Sequence, residues 1–180
     1  MHRLYVPERE GLNQKTNEFI TTKPCVLRLE HSLIAISKWE SKWHKPFLSG
    51  EKHTTAEMRD YVRCMCLDSN VDENVFRVLN SKEIMEILEY IDDPMTGTTF
   101  GKQDDEEQNH EIMSSELLYY YMLANQVPFE CEKWHINRLL TLLKICGIKN
   151  KATDTKPKHS KSELLQKYAA IHAAKKKAKK

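Results

Sequence analysis

The sequence is short of the two residues that most often mark turns, with 5 glycines and 6 prolines among 180 residues. A sandwich or barrel of many short strands needs frequent turns, and glycine and proline usually supply them. Long mixtures of polar and apolar residues are instead typical of helices. A chain of this length has room for one ordinary domain, and two would be cramped. We therefore predict a mainly α (α+β) protein with one core.

Long apolar runs are also missing. No run approaches the ~20 apolar residues of a membrane span, and the first residues, MHRLYVPEREG, lack the apolar segment of a secretory signal peptide. We therefore predict that the chain is made in the reducing cytoplasm and that it does not bind a membrane. An odd number of cysteines fits buried free thiols better than disulfides. The cysteines are Cys25, Cys64, Cys66, Cys131 and Cys146.

The sequence contains no recognisable catalytic or cofactor motif. There is no glycine-rich phosphate loop, and no cysteine or serine stands in a nucleophile elbow. A closed zinc site needs four ligands, usually in tight pairs. Cys64 and Cys66 would point about 200° apart on a helix, and Cys131 with His135 supplies a single helical i, i+4 pair. We therefore expect no enzyme activity, no metal and no cofactor.

Charge divides sharply along the chain. Residues 149–180 hold eleven lysines against Asp154 and Glu163, a net charge of +9, so the overall +2 leaves residues 1–148 at −7. We predict a polar linker there, followed by a lysine-rich tail helix. Lysines without nearby arginine or aromatic residues can contact phosphate but cannot read bases, so the tail suits nucleic acid, an acidic protein surface or solvent. Its candidate basic residues are Lys167, Lys175, Lys176, Lys177, Lys179 and Lys180.

Residues 1–31 are predicted to form a small β region packed on the core. The stretch 25–30 (CVLRLE) alternates apolar and polar residues as a half-exposed strand should. Residues 4–6 and 19–21 are plausible partner strands, separated by a polar turn region at 8–15. A hairpin or a three-stranded sheet follows from this pattern.

Residues 32–148 are predicted to form the helical core domain. Capping boxes begin two of its helices, Thr54 with Glu57 and Asn80 with Glu83, because each pair can satisfy early backbone donors. Prolines end helices, since the residue before a proline is pushed out of the α region. Helices are predicted at 32–42, 55–67, 73–79 and 81–91, followed by a surface loop at 94–111 that includes the acidic run 103–107.

The centre of the core is predicted at 114–149, where two helices meet at Val127-Pro128. Ser114 should cap the first helix, and Gly147 should end the second in a left-handed turn. On the first helix Leu117, Tyr121 and Ala124 are predicted to face the core, with Leu118 and Met122 beside them. On the second helix the predicted core residues are Ile136, Leu139, Leu140, Leu143 and Cys146.

Large aromatic residues are the best candidates for a partner surface. Three consecutive tyrosines on a helix, residues 119–121, cannot share one buried face. Some of these rings must be exposed or meet a partner. The alternative is that the aromatics are divided between the core and an ordinary amphipathic surface. The candidates are Trp39, Trp43, Tyr119, Tyr120 and Trp134.

Several phrases resemble a family of small bacteriophage proteins, the tail assembly chaperones, encoded near the major tail protein and the tape-measure protein. The resemblance spans roughly residue 27 to the C-terminus and carries no catalytic residues. The matching phrases are 33–43 (LIAISKWESKW), 60–66 (DYVRCMC), 90–100 (YIDDPMTGTTF), 115–121 (SELLYYY), 127–146 (VPFECEKWHINRLLTLLKIC) and 169–174 (AAIHAA).

The resemblance implies a non-enzymatic morphogenesis protein that binds tail components such as the tape-measure or tail-tube protein in the host cytoplasm. Two alternatives stay open. One is a structural virion component of the tail or the head–tail connector, assembled as a homo-oligomer. The other is a nucleic-acid-associated protein that binds phosphates through its basic tail, residues 149–180.

Overall fold

The structure is a computed structural model. Within the part of the chain that it describes, six α-helices, one 3₁₀ helix and four short strands make the protein mainly α with a small β part, as predicted. The predicted tail helix, its six candidate lysines and the acidic run lie outside this part. The described residues are 1–13, 18–100 and 112–154, with side chains at 1–12, 19–100 and 112–150.

The strands form two antiparallel pairs. Strand β1 (His2–Val6) pairs with β4 (Cys25–Leu29), and β2 (Arg9–Asn13) pairs with β3 (Glu18–Thr22). The polar turn predicted at 8–15 is wrong, because this stretch contains β2. The sequence of β2, REGLN, has one large apolar residue, which is too few for a strand-like alternation to be visible.

The alternation predicted for β4 is confirmed. Leu27 and Leu29 are fully buried and Cys25 is partly buried, whereas Val26 is 53% exposed and Arg28 is exposed. In β1 the buried side chains are Leu4 and Val6, which lie opposite β4 residues in the antiparallel register. One face of the β1–β4 pair therefore belongs to the core.

Four helices follow the strands: α1 (Leu33–Trp43), α2 (Thr55–Met65), α3 (Glu73–Arg77) and α4 (Ser81–Asp92). They match the predicted helices within two residues at each end, which is the usual uncertainty of a helix boundary. Both predicted capping boxes are confirmed, at the starts of α2 and α4. A good N-cap contributes about 1 kcal/mol. The capping residues of the four helices are Ser32, Thr54, Asp72 and Asn80.

The last helices differ from the prediction. Helix α5 (Ser115–Ala124) begins at the predicted cap, but the proline turn leads into a 3₁₀ helix (Phe129–Lys133) and only then into α6 (Ile136–Asp154). Gly147 does not end α6, which continues to Asp154 and so enters the predicted linker. A glycine inside a helix costs about 1 kcal/mol but does not break it.

The buried face of α5 is also shifted from the prediction. Ser115, Leu118 and Met122 are buried, whereas Leu117 is partly buried and Ala124 is exposed. Ser115 is buried because its backbone N–H donates to the carboxylate of Glu40 on α1, at 2.8 Å. This contact orients α5 so that Leu118 and Met122 face the core. Each of them follows a predicted core residue, Leu117 or Tyr121, and adjacent helix positions are about 100° apart.

The core joins the β1–β4 face to the helices. The N–H of Glu30 donates to the carbonyl of Met65, and that of Leu67 donates to the carbonyl of Arg28, so the end of α2 continues the β4 edge. Leu140, predicted as core, is partly buried. The largest fully buried side chains are Trp39, Tyr61, Leu27, Leu29, Leu33, Ile36, Met65, Ile87, Leu118, Met122, Ile136 and Leu139.

The chain divides into two compact units, residues 1–144 and residues 145–180. The first unit contains the strands, α1 to α5, the 3₁₀ helix and the start of α6. Of the second unit, the structure describes the remainder of α6. No helix in the described part combines the length and hydropathy needed to cross a bilayer.

Candidate protein-contact surface

The five predicted aromatic candidates lie in different environments. Trp39 is fully buried, and its indole Nε1–H donates to the carbonyl oxygen of Glu57 at 2.9 Å. Its ring meets Phe47 edge to face, with the centroids 5.1 Å apart. The prediction of Trp39 as a partner-binding residue is therefore wrong. The prediction rested on the number of large aromatic residues, and Trp39 lies on the core face of α1 with Leu33 and Ile36.

Trp43 is partly buried at the end of α1. Its ring stacks on Trp39 with the centroids 6.0 Å apart, and its Nε1–H donates to the carboxylate of Asp60 at 2.8 Å. The indole is thus fixed between α1 and α2, with its remaining exposed edge on a different surface from α5. That surface is the cleft described below.

A group of large side chains on α5 and the 3₁₀ helix consists of Tyr119, Tyr120, Leu123 and Phe129. We call these four residues the α5 surface. The three helical positions lie within about 100° of the helix circumference. Tyr120, Leu123 and Phe129 are 62%, 60% and 52% exposed, so three large side chains lie exposed within ten residues of sequence.

Tyr119 connects the two parts of the α5 surface. Its hydroxyl donates to the carboxylate of Glu132 at 2.9 Å, and its ring centroid lies 6.4 Å from that of Phe129. Burial, together with this carboxylate, raises the pKa of Tyr119 to about 12. The hydroxyl therefore stays protonated at neutral pH and holds the 3₁₀ helix against α5.

Trp134 lies just beyond this surface. It is in an extended conformation at the end of the 3₁₀ helix, where its backbone N–H donates to the carbonyl of Cys131 at 3.0 Å. The guanidinium carbon of Arg138 is 4.3 Å from the centroid of its partly buried ring. A cation in this position is attracted by the ring face. Trp134 remains a predicted contact residue.

The buried histidines form a polar cluster in the core. His31 Nδ1 and the hydroxyl of Tyr61 share a short hydrogen bond, and the rings of His31 and His135 are 5.0 Å apart. His135 Nε2–H donates to the carbonyl of Tyr90 at 3.0 Å. Asn137 N–H donates to the other ring nitrogen of His135. These partners fix His135 as a neutral tautomer and give it a structural role.

Burial keeps His31 neutral as well. It lowers the pKa of His31 from 6.5 to about 3, with a smaller contribution from His135, because a charged imidazole would lose its hydration. The pKa of His135 is lowered for the same reason. With exposures of 2% and 6%, neither ring presents an accessible base.

The described residues contain no candidate metal site, because no three His, Cys, Asp or Glu side chains are grouped there to hold an ion. The helical pairing of Cys131 with His135 is wrong, because Cys131 belongs to the 3₁₀ helix and His135 precedes α6. All five cysteines are free thiols, and Cys131 alone is fully buried. Burial raises the pKa of the thiols of Cys25, Cys64, Cys66 and Cys131.

Comparison with protein-family models, curated proteins and solved structures returned no match. The phrases that resemble phage tail assembly chaperones therefore stand as sequence observations alone. The geometry of the α5 surface is an independent observation on the same chain.

Sequence reasoning missed Leu123 and Phe129 as members of this surface. Leu123 lies opposite the face predicted for α5, so the pattern implies its exposure, but the predicted contact residues are aromatic only. For Phe129 a signal exists in the stretch PFECEK, where it is the one large apolar residue between a proline and charged residues. Such a residue has no helical neighbours with which to form a buried stripe.

Proposed function

We propose that this protein is a non-enzymatic phage morphogenesis factor, a tail assembly chaperone that binds a helical tail component through the α5 surface. The observation that carries the proposal is the exposure of Tyr120, Leu123 and Phe129 beside the ordered ring of Tyr119. The resemblance of the sequence phrases supplies the protein class. Tape-measure and tail-tube proteins are the partners that this class implies.

The chemistry of the surface suits such a partner. A long, apolar, helical protein has to stay soluble until tube subunits assemble around it, and an amphipathic helix commonly docks its apolar face on an aromatic groove. Tyrosine is enriched among the residues that dominate binding energy, because it buries a large rigid ring and keeps a polar tip. Under this proposal the chain acts in the host cytoplasm during assembly.

Co-expression with the tape-measure protein tests the proposal. The full chain should keep that protein soluble and co-purify with it, whereas a Tyr120→Ser, Leu123→Ser double variant should lose most of the complex. Tyr5→Ser is a matched control, because Tyr5 is 63% exposed on β1, on another element. Equal solubility of the tape-measure protein with and without this chain would contradict the proposal.

Purified virions separate this proposal from a permanent role. A transient chaperone should be absent from mature particles, or present far below the copy number of tail subunits. Mass spectrometry that finds the chain in stoichiometric amounts would instead favour a structural component of the tail or the connector.

A further inference from the structure

A cleft of about 1040 Å³ lies between the β2–β3 hairpin and residues of α1, α2 and α3, and none of its lining residues belongs to the α5 surface. This volume is at the upper end of small-molecule sites, and large enough for a few residues of an extended peptide. Four consecutive residues of β2, from Arg9 to Leu12, form one wall. Residues of α2, of α3 and of the turn after α3 form the opposite wall.

The cleft concentrates positive charge in a part of the chain that is acidic as a whole. Five basic and three acidic side chains line it, although residues 1–148 carry a net charge of −7. Even with Arg9 paired to Glu83, which lies outside the lining, a small excess of positive charge remains and favours an anionic group. The basic residues are Arg9, Lys42, Arg59, Arg63 and Arg77, and the acidic ones are Glu10, Asp60 and Glu73.

Three of the five basic side chains are already paired. Lys42 and Arg63 contact the carboxylate of Asp60 at 2.7 and 2.9 Å. Arg9 binds the carboxylate of Glu83 through two hydrogen bonds of 2.8 and 2.9 Å. These groups shape the cleft but have little capacity left for a ligand.

Arg59 differs from them. Its Nε–H is buried and has no hydrogen-bond partner among the described residues, and its Nη2 reaches the carbonyl of Leu79 only at 3.5 Å. Arg77 contacts the side-chain oxygen of Asn74 at 3.3 Å. Neither arginine forms an ion pair with any described residue. A buried donor without a partner is costly, so a rotation of the partly exposed Arg59 side chain that brings its Nε–H to a ligand oxygen in the cleft is favourable.

The walls of the cleft are partly apolar. Trp43 and Phe76 contribute aromatic surface, and Leu12 and Ile20 contribute aliphatic surface from the hairpin. Leu12 is 50% exposed there. An inorganic anion would occupy the arginines and leave these side chains uncovered, whereas a peptide can cover both.

We propose that this cleft binds an acidic peptide segment of a partner protein. One carboxylate of the peptide accepts hydrogen bonds from Nε–H and an Nη–H of Arg59, the side-on fork that arginine offers to carboxylates. Arg77 adds a second positive charge, and an apolar residue of the peptide packs against Trp43 and Phe76. The site does not involve the α5 surface, so its test is independent of the function proposed above.

Titrations of the full-length chain followed by NMR of the arginine Nε–H groups and the tryptophan indoles test this inference. The probes are the blocked peptide acetyl-DLFE-amide, its neutral counterpart acetyl-NLFQ-amide, and inorganic phosphate. The acidic peptide should give saturable shifts at Arg59 and Trp43. Arg59→Gln should weaken its binding by about tenfold or more, as expected for loss of a charged hydrogen-bonded anchor. Arg59→Lys should retain only part of the affinity for the acidic peptide, because the lysine ammonium cannot form the two parallel hydrogen bonds of a guanidinium.

Arg3→Gln is the matched control, since Arg3 is exposed on β1 outside the cleft. It should bind the acidic peptide like the unchanged chain. Equal shifts with the neutral peptide, shifts at Arg59 with phosphate alone, or no shift at Arg59 with any probe would each overturn the proposal. The comparison of the three probes needs no variant, so it stands even where a substitution impairs folding.

Discussion

His31 directly precedes Ser32, the cap of α1, and its ring is packed between Tyr61 and His135. In the folded chain the pKa of His31 is about 3, whereas in the unfolded chain it returns to about 6.5. Below pH 6.5 the unfolded state therefore binds a proton that the folded state excludes. Above pH 6.5 both states are neutral and this group contributes no pH dependence.

Stability should accordingly fall as the pH drops from 6.5 towards 4.5, by up to about 1.4 kcal/mol per pH unit for each such histidine. His135 acts in the same direction because its pKa is also lowered. Urea unfolding at several pH values measures the slope. His31→Gln should make it shallower, whereas His44→Gln, at an exposed position, should leave it unchanged. An identical slope in His31→Gln would contradict the assignment.

Glu40 is a second residue with a specific structural role. Its two carboxylate oxygens accept the backbone N–H of Phe47, at 2.7 Å, and that of Ser115, at 2.8 Å. It is 7% exposed and thus connects α1, the following loop and the start of α5. Glutamine in its place would offer one acceptor and direct an NH₂ group at the other donor.

Glu40→Gln should therefore lower the free energy of unfolding by about 1–3 kcal/mol, the cost of one buried donor left without a partner. Chemical denaturation provides the measurement. Glu89→Gln makes the same chemical change at an exposed position of α4 and should change stability by less than about 0.5 kcal/mol. A Glu40→Gln variant as stable as the Glu89 control would show that this contact does not fix α5.

At the scale of elements, a substitution at Gly147 distinguishes a helix α6 that ends at this glycine from one that continues to Asp154. The prediction of a left-handed cap requires a conformation that favours glycine, whereas the structure continues the helix through this position. A Cβ added at Gly147 meets no atom within 4 Å. Alanine should then stabilise α6 by about 0.5–1 kcal/mol.

Thermal unfolding followed by circular dichroism should show a higher midpoint for Gly147→Ala. Gly50→Ala is the opposite case, since Gly50 has a φ of +78° that a side chain disfavours, and it should lower the midpoint. A lower midpoint for Gly147→Ala would restore the predicted cap and remove the extension of α6 to Asp154.

The elements that sequence predicted well are those specified by local chemistry. Thr54 with Glu57 and Asn80 with Glu83 satisfy backbone donors within one turn, so their capping boxes are visible without tertiary information. The alternation of β4 is local in the same sense.

The features that sequence missed depend on distant contacts. The burial of Ser115, and with it the orientation of α5, follows from a carboxylate 75 positions away on α1. Strand β2 has little alternation of its own and is held by pairing with β3 and by the bonds between Arg9 and Glu83. Arg59 could not be singled out as a ligand-binding residue, because its missing partner is visible only in three dimensions.

At the scale of the whole molecule, the division of charge predicts which part of the chain would bind nucleic acid. Residues 1–148 are acidic, so affinity for DNA should reside in the lysine-rich C-terminal region and fall steeply with salt. Replacing the five terminal lysines by glutamine removes five of the eleven positive charges there and should strongly weaken binding in a filter or anisotropy assay at low salt. Binding that this change leaves unaltered, or that is insensitive to salt, would show that another surface contacts the nucleic acid. Those lysines are Lys175, Lys176, Lys177, Lys179 and Lys180.

The central claim is that the α5 surface contacts a tail component. The most direct measurement places the photo-crosslinking residue p-benzoylphenylalanine at Tyr120 and, in a separate chain, at Tyr5, which is equally exposed. Each chain is then irradiated in cells that produce the tape-measure protein. The account predicts a crosslinked product from position 120 and little or none from position 5. Equal crosslinking at the two positions, or none at 120 in a complex that still co-purifies, would contradict it.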